Sequence, residues 1–364
     1  MTTHAPSTTP AGQPANASVP APQAAPSLAS MHPSYFAMVM ATGIVSIASA
    51  LMGFRIIPQL LLWLNSGFYV ALWIMTILRC IRYPQRVRAD ILHHGRSVGF
   101  FTIVAGTCVL GSQFLIIGGI RPVAVCLWYF GIALWAILTY GVVTVLTVKD
   151  EKPGLAEGIN GGWLVLVVAA QSVAVLGAQL SGGFAAWHQP GVLLFCLAIW
   201  LGGGMLYIWI ISLIFYRYTF FVMHPSDLAP PYWINMGAVA ISTLAGTMLL
   251  AAAPRSPLLV ELLPFIKGMT LLFWSTATWW VPMLIILGFW RHVYRRFPLR
   301  YDPLYWGAVF PLGMYTACTY RVTQVMRADL LDWIPRVFVY IALAAWCLTL
   351  IGLLHQLLFR RNKA

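Results

Sequence analysis

The chain has 364 residues, of which 60% are hydrophobic and only 9% are charged, and its mean hydropathy is +0.81. Soluble domains are about half apolar and about one quarter charged, so this composition excludes a soluble globular protein and indicates an integral membrane protein. The 22 Lys and Arg residues outnumber the 9 Asp and Glu residues, an excess that membrane topology must explain before a nucleic-acid partner is considered. The six cysteines are scattered without a C-x-x-C pair, which predicts neither a disulfide framework nor a zinc site.

The N-terminal segment differs in composition from the rest of the chain. It consists mostly of Ala, Pro, Ser, Thr and Gln without a charged side chain, so it can bury too little apolar surface to fold. It also lacks a basic segment followed by an apolar core, which a secretory signal would need. We predict a disordered cytoplasmic tail over residues 1–30, a transmembrane transport domain over 31–359 and a short basic cytoplasmic tail over 360–364.

Ten apolar stretches long enough to cross a bilayer follow, separated by short connections that hold nearly every charge. The stretches are continuously apolar, whereas barrel strands alternate apolar with polar residues, so the sequence predicts an all-α membrane protein with ten transmembrane helices. The predicted spans cover residues 34–53, 58–78, 97–118, 122–147, 160–181, 190–216, 232–253, 264–289, 302–321 and 334–357.

The basic residues fall unevenly on the two sides of these spans. Fifteen of the 22 lie on the side of both termini, and seven lie on the other side. Because cytoplasmic loops are enriched in Lys and Arg, both termini are predicted to be cytoplasmic, and the positive charge needs no nucleic-acid partner. The seven on the other side are Arg55, Arg121, Arg255, Lys267, Arg321, Arg327 and Arg336.

The odd-numbered spans begin at a nearly constant interval of roughly 62 to 72 residues, which indicates an internal repeat of helical hairpins. They also carry more Ser, Thr, Asn and Gln than the even-numbered spans, which is expected of helices that face a polar path.

The spans lack an ionisable residue near the membrane centre, where ion-coupled carriers commonly place one. A buried proton relay and an acidic cation-conducting ring are therefore disfavoured. All nine acids lie in loops or at span edges: Asp90, Asp150, Glu151, Glu157, Asp227, Glu261, Asp302, Asp329 and Asp332.

Enzyme and metal signatures are also missing. The glycine clusters at 161–162 and 202–204 lie at the start of or within apolar spans, where close helix packing explains them better than a phosphate loop. His93 and His94 lie in a basic loop without an acidic or thiol partner at ligand spacing, so a solvated interfacial pair is the better interpretation.

Two short motifs carry a resemblance to a known family. The first span reads FAMVMATGIVS over residues 36–46, and the ninth reads WGAVFPLG over residues 306–313. With ten spans and cytoplasmic termini, the chain resembles the tellurite-resistance/dicarboxylate transporter family. That family includes bacterial tellurite-resistance proteins, the yeast malate permease, the yeast sulfite efflux pump and the slow-type anion channels of plants.

The resemblance implies five helical hairpins in a quasi-five-fold arrangement around a central pore, with odd-numbered helices inside and protomers assembled as homotrimers. It also implies that a phenylalanine of the ninth helix plugs the pore, and Phe310 is the matching residue. Pro311 removes a backbone hydrogen bond, so it is predicted to kink the helix and turn this ring toward the lumen. The other odd-numbered spans depart from the family's proline kinks and offer glycines instead: Gly43, Gly106, Gly177 and Gly237.

The pore wall is predicted from polar residues in the middle of the odd-numbered spans, although Ser and Thr can bond to their own helix instead. The predicted pore-lining residues are Thr42, Ser46, Thr107, Ser112, Gln171, Ser172, Ser242, Thr243 and Thr316.

Together with these observations, the resemblance implies a bacterial inner-membrane protein that moves small anions, such as C4-dicarboxylate, sulfite, tellurite-type oxyanions or halide, as a channel or uniporter. A proton-coupled carrier for C4-dicarboxylates or sulfite export is the alternative. We expect no enzyme activity, cofactor, metal or nucleic-acid partner, because no motif supplies the groups they need.

Overall fold

The computed structural model describes residues 28–299 and 301–359, and this part of the chain contains helices and no strand. Most of the predicted disordered tail, Arg300 and the predicted basic tail over 360–364 lie outside the described residues. Residues 28–30, which composition assigns to the tail, form a 3-10 turn, Leu28–Ser30. Arg79 donates a hydrogen bond of 3.3 Å to the carbonyl of Ala29 and so anchors this turn to the bundle.

Ten long helices coincide with the ten predicted apolar stretches to within about five residues at each end. They are α1 Ala37–Leu51, α2 Ile56–Arg82, α3 Phe101–Ile116, α4 Arg121–Val148, α5 Val165–Leu180, α6 Gln189–Phe220, α7 Ile234–Ala252, α8 Leu263–Phe289, α9 Trp306–Met326 and α10 Trp333–Phe359.

Nine candidate membrane spans occur in the described part of the chain, and each coincides with one of these helices. The one long helix without a candidate span is α9. Its 21 residues extend about 31 Å, but its composition is less apolar than that of the other long helices. The multi-span helical membrane fold is therefore confirmed, while the tenth span stays a prediction.

The long helices form two classes that differ in length and burial. α1, α3, α5, α7 and α9 have 15 to 21 residues and are almost wholly buried. We call them the inner helices. The outer helices α2, α4, α6, α8 and α10 have 27 to 32 residues, and only 17% to 44% of their apolar windows is buried.

The packing contacts order the inner helices into a closed ring. Each inner helix packs against the next one along the chain, and α9 packs back against α1. Each outer helix packs against the inner helix that precedes it. The inner helices are apolar on every face because neighbouring helices surround them on all sides.

A short 3-10 turn precedes every inner helix. Side chains cap three of these turns: the Nδ1 atom of His32 accepts from the Ser34 N–H, while Asn160 and Asp302 accept from Gly162 and Leu304. The order of turn, short buried helix and long exposed helix thus occurs five times. The turns are Pro33–Phe36, Val98–Phe100, Gly161–Leu164, Pro230–Trp233 and Pro303–Tyr305.

The connection between α2 and α3 holds a buried ion-pair cluster. Asp90 accepts hydrogen bonds from Arg79 at 2.6 Å and from Arg96 at 2.5 Å. Although burial raises the pKa of Asp90, the bonds from Arg96 and Arg79 hold that pKa below its usual range. The cluster fixes this loop and the turn at residues 28–30 against the bundle.

Every outer helix makes at least one aromatic hydrogen bond to the inner helix that follows it in the ring, and we call five of these bonds, one from each outer helix, the latches. A latch uses an indole N–H or a phenol hydroxyl as the donor. They run from Tyr69 to Thr107 at 2.9 Å, from Trp128 to the Val173 carbonyl at 3.0 Å, from Trp200 to the Ser242 carbonyl at 2.8 Å, from Trp274 to Thr319 at 3.1 Å and from Trp346 to Thr42 at 3.0 Å.

We expect Trp200→Phe to lower the free energy of unfolding by about 1 kcal/mol, because it removes one latch while it keeps most of the ring packing. Thermal unfolding of the purified protein in detergent measures this loss. Trp209→Phe is the matched control, since Trp209 lies in the same helix and is 60% exposed. If both variants lose the same stability, ring packing rather than the hydrogen bond accounts for the effect.

Candidate functional site

Two cavities lie inside the ring of inner helices. The larger, which we call the vestibule, has a volume of about 490 Å³ and lies at the N-terminal ends of all five inner helices. The smaller has a volume of about 20 Å³, enough for about one water molecule, and lies in their C-terminal halves. Because each cavity takes residues from all five helices, the two lie one above the other along the axis of the ring.

Phe310 lies between the two cavities. On α9, Gly307 lines the vestibule and Met314 lines the small cavity. Residues 307, 310, 314, 317 and 321 follow one another at spacings of three and four, so Phe310 shares the axis-facing side of α9. Its side chain is 1% exposed and is among the largest fully buried ones. An aromatic ring therefore lies within the stretch of about 10 Å that separates the cavities.

Pro311 lies inside α9, which runs as one helix from Trp306 to Met326. Its ring packs against Gly237 of α7, where a Cβ atom would lie 2.7 Å from the Pro311 Cγ atom. Gly237 thus permits the close approach of α7 and α9 next to Phe310. The predicted kink at Pro311 stays a prediction.

Ser112 and Ser172 are the two predicted pore-lining residues that lie on a cavity surface, in both cases that of the small cavity. The Ser112 hydroxyl donates to the Oε1 atom of Gln179 at 2.8 Å, which links α3 to α5. The Ser172 hydroxyl donates to the carbonyl of Ala169 in its own helix.

Four other predicted pore-lining residues form hydrogen bonds with outer helices. Thr42 and Thr107 are the acceptors of latches, Ser46 donates to the Pro58 carbonyl at 2.9 Å, and Gln171 donates to the Trp200 carbonyl at 3.0 Å. These side chains are buried between inner and outer helices, because a polar group inside a bilayer needs a protein partner.

The remaining three bond to their own helices. Ser242, Thr243 and Thr316 donate to the carbonyls of Ala238, Val239 and Leu312. The Ser242 carbonyl also accepts the Trp200 latch. The structure therefore brings two of the nine predicted residues to the axis cavities and holds seven in bonds elsewhere.

The vestibule contains polar residues that the sequence analysis did not select. Its lining includes His32, Asn160, Arg217, Glu157 and Asp227. The Arg217 side chain donates to the Ala156 carbonyl at 2.6 Å and lies 3.8 Å from the Asp227 carboxylate. The sequence contains a signal for His32 and Asn160, because they lie directly before Pro33 and Gly161, at the position from which a side chain caps a turn.

The vestibule is also the point where the positive ends of five helix dipoles meet, because all five inner helices begin there. At the opposite end of the ring, Arg321 lines the small cavity. Anions are favoured at helix N-termini and next to guanidinium groups, so both ends of the axis attract negative charge.

The described residues contain no group of three or more His, Cys, Asp or Glu side chains that could hold a metal ion.

Comparisons with known proteins add independent information. A family model described as voltage-dependent anion channel matches residues 30–354. An uncharacterized transporter of Methanocaldococcus jannaschii is 27% identical over 329 residues, which cover 89% of this chain and 94% of the relative. An uncharacterized membrane protein of Mycobacterium tuberculosis is 36% identical over 152 residues, which cover 42% of this chain and 77% of the relative. A sulfite efflux pump of Trichophyton rubrum is 23% identical over 342 residues, with coverage of 88% and 89%.

Acid is expected to destabilise the protein through His32. Burial and the charge of Arg96 lower the pKa of His32 from 6.5 to about 4. The unfolded chain therefore takes up a proton at a higher pH than the folded chain does. The stability that neutral His32 contributes is present above pH 6.5 and is lost as the pH falls toward 4.

The thermal stability of wild type should fall between pH 7.5 and pH 5 by about 1–2 kcal/mol more than that of His32→Asn, which keeps a capping acceptor for Ser34. Parallel melting curves at the two pH values measure the difference. Identical pH dependence in both proteins would contradict the assignment.

Proposed function

Because this chain belongs to the voltage-dependent anion channel family, we propose that it moves small anions through the centre of the ring of inner helices. The membership confirms the resemblance carried by the first and ninth spans, and it confirms a membrane transporter rather than an enzyme. The observation that carries the proposal is the pair of cavities on one axis, each lined by all five inner helices and separated at Phe310.

The architecture in this proposal has ten transmembrane helices in five hairpins, in a quasi-five-fold arrangement around a pore. The closed ring of inner helices and the five-fold order of turn, inner helix and outer helix support it. α9 is the tenth span, because Thr316, Thr319 and Thr323, which make its composition less apolar, are buried by its neighbours.

Phe310 is the gate. Its ring fills the axis between the vestibule and the small cavity, and an aromatic ring in a narrow uncharged passage blocks ions by filling space and excluding water. Ser112 and Ser172 form the polar wall on the far side of the gate. The other seven predicted residues hold the helices together and are not part of this wall.

The transported species is a small anion, such as sulfite, a C4-dicarboxylate, a tellurite-type oxyanion or halide. The name of the fungal relatives, sulfite efflux pumps, favours sulfite among them. Attraction at the vestibule comes from helix dipoles and from Arg217, which lies beside Asp227, so selectivity between anions is weak.

The protein works as a channel or uniporter in the bacterial inner membrane, with the vestibule and both termini on the cytoplasmic side. The 15 basic residues on that side support this orientation, and a C-terminal reporter active only outside the cytoplasm would contradict it. The protomers form a homotrimer, and the mass of the intact assembly tests this number.

Phe310→Ala is expected to raise anion flux clearly above that of wild type, because it removes both the steric plug and the dewetted constriction. The measurement is sulfite, halide and malate flux in liposomes that contain purified protein. Phe289→Ala is the matched control, since Phe289 lies in an outer helix and is 62% exposed, and its flux should equal that of wild type. Unchanged flux through folded Phe310→Ala protein would remove Phe310 as the gate.

The channel and the proton-coupled carrier differ in their need for a carboxylate. Glu157 lines the vestibule, and Asp302 caps the turn before α9 through the Leu304 N–H at 2.8 Å. Glu157→Gln and Asp302→Asn keep the size of each side chain and its hydrogen-bond acceptor and remove the negative charge. Flux and its pH dependence in liposomes should therefore stay within about twofold of wild type. Loss of transport in either variant, with normal assembly, would replace the channel by the proton-coupled carrier.

A further inference from the structure

A third cavity lies on the outer surface of the bundle, between α8, α9 and α10. Its volume is about 500 Å³, and we call it the groove. One end is lined by Arg291, His292 and Tyr301, and the other by Leu312 and Ala345. Since the polar end lies beside the start of α9, where the vestibule also lies, the groove is polar toward the membrane surface and apolar toward the membrane interior.

Arg291 at the polar end is buried without a carboxylate partner. It lies in a π-helical turn, Trp290–Tyr294, and its side chain is 6% exposed. It donates to the Leu228 carbonyl and stacks on the Phe297 ring at 4.6 Å. Within the described residues it forms no ion pair, and its Nε atom has no hydrogen-bond partner.

Tyr301, which lines the same end, has a buried hydroxyl group whose O–H finds no acceptor among the described residues. A buried guanidinium without a counter-ion and a buried hydroxyl without an acceptor are costly, and an anionic oxygen ligand would relieve that cost. The polar end of the groove therefore has the chemistry of a site for an anionic head group.

The apolar end is shaped for a hydrocarbon chain. It follows α9 from Ala308 to Leu312 and α10 from Gly352 back to Ala345, a length of about 10 Å, and its edge includes Leu348, which is 70% exposed. Basic pockets between transmembrane helices on the cytoplasmic side bind anionic lipid head groups.

We propose that the groove binds one anionic phospholipid, with its phosphate at Arg291 and Tyr301 and an acyl chain along Leu312, Ala345 and Leu348. A second copy of this chain would cover the apolar end and leave the guanidinium without an anion. A free phosphate ion would pair with Arg291 and leave the apolar end empty. The phospholipid satisfies both ends, and it packs against α9 beside Phe310, so it supports the helix that carries the proposed gate.

The test counts lipids bound to the purified full-length protein by native mass spectrometry, after exchange into phosphatidylglycerol or phosphatidylcholine. Wild type should retain about one phosphatidylglycerol per chain, and should prefer it over phosphatidylcholine by about fivefold. Ala345→Phe fills the apolar end and should abolish this retention. Ala344→Phe, at the exposed neighbouring position, is the matched control and should retain the lipid as wild type does.

Arg291→Gln should remove the preference for phosphatidylglycerol, while Arg295→Gln, whose guanidinium stacks on Trp290 outside the groove, should keep it. Arg291 also bonds to the Leu228 carbonyl, so Ala345→Phe decides the matter if Arg291→Gln does not fold.

Four results would overturn the proposal. The first two are equal retention of the two lipids by wild type and equal retention of phosphatidylglycerol by Ala345→Phe and Ala344→Phe. The third is protection from thermal unfolding by inorganic phosphate that is as large as the protection by phosphatidylglycerol. The fourth is that Ala345→Phe loses its oligomers but keeps its lipid. The last result would identify the groove as an interface between copies. None of these measurements depends on transport, so this inference can fail while the proposed function stands.

Discussion

The five latches are the interactions on which the arrangement of the bundle depends. Apolar packing alone holds helices together only weakly in a bilayer, because lipid tails are as apolar as the leucine side chains they would replace. An indole N–H or a phenol hydroxyl inside the bilayer must find an acceptor in the protein. Each latch joins an outer helix to the next inner helix of the ring, as from Trp128 to Val173 and from Trp346 to Thr42, so the latches tie neighbouring helix pairs together and close the ring.

The latches also determine what remains for the axis of the ring. Thr42 and Thr107 turn away from the axis because their hydroxyl groups serve as latch acceptors. The residues that line the small cavity are mainly aliphatic, with Ser112 and Ser172 among them. The gate proposed at Phe310 needs such a lining, because a narrow apolar passage holds little water when it is closed.

The sequence predicted where the long helices lie along the chain, but it did not predict how each inner helix is rotated about its own axis. Continuous apolar stretches and the charges between them located all ten long helices, because a bilayer imposes a length and a composition on each segment. Which face of an inner helix meets the axis was not predictable, since these helices are apolar all round and show no preferred side. Seven of nine selected polar residues therefore lie away from the two cavities. Phe310 was found through the resemblance, and the spacing of Gly307, Phe310 and Met314 becomes informative only once the cavities are known.

A signal in the sequence did mark the vestibule. Four of the five turns that precede inner helices begin with a proline or glycine and continue to an aromatic residue two or three positions later, as in Pro33-Ser34-Tyr35 and Gly161-Gly162-Trp163. This pattern precedes four of the five inner helices, and all five of these helices begin at the vestibule end of the ring. Helix dipoles supply positive potential there without the several kcal/mol that burial of an unpaired arginine would cost. The anion path proposed along the inner helices therefore needs no basic residue at the membrane centre.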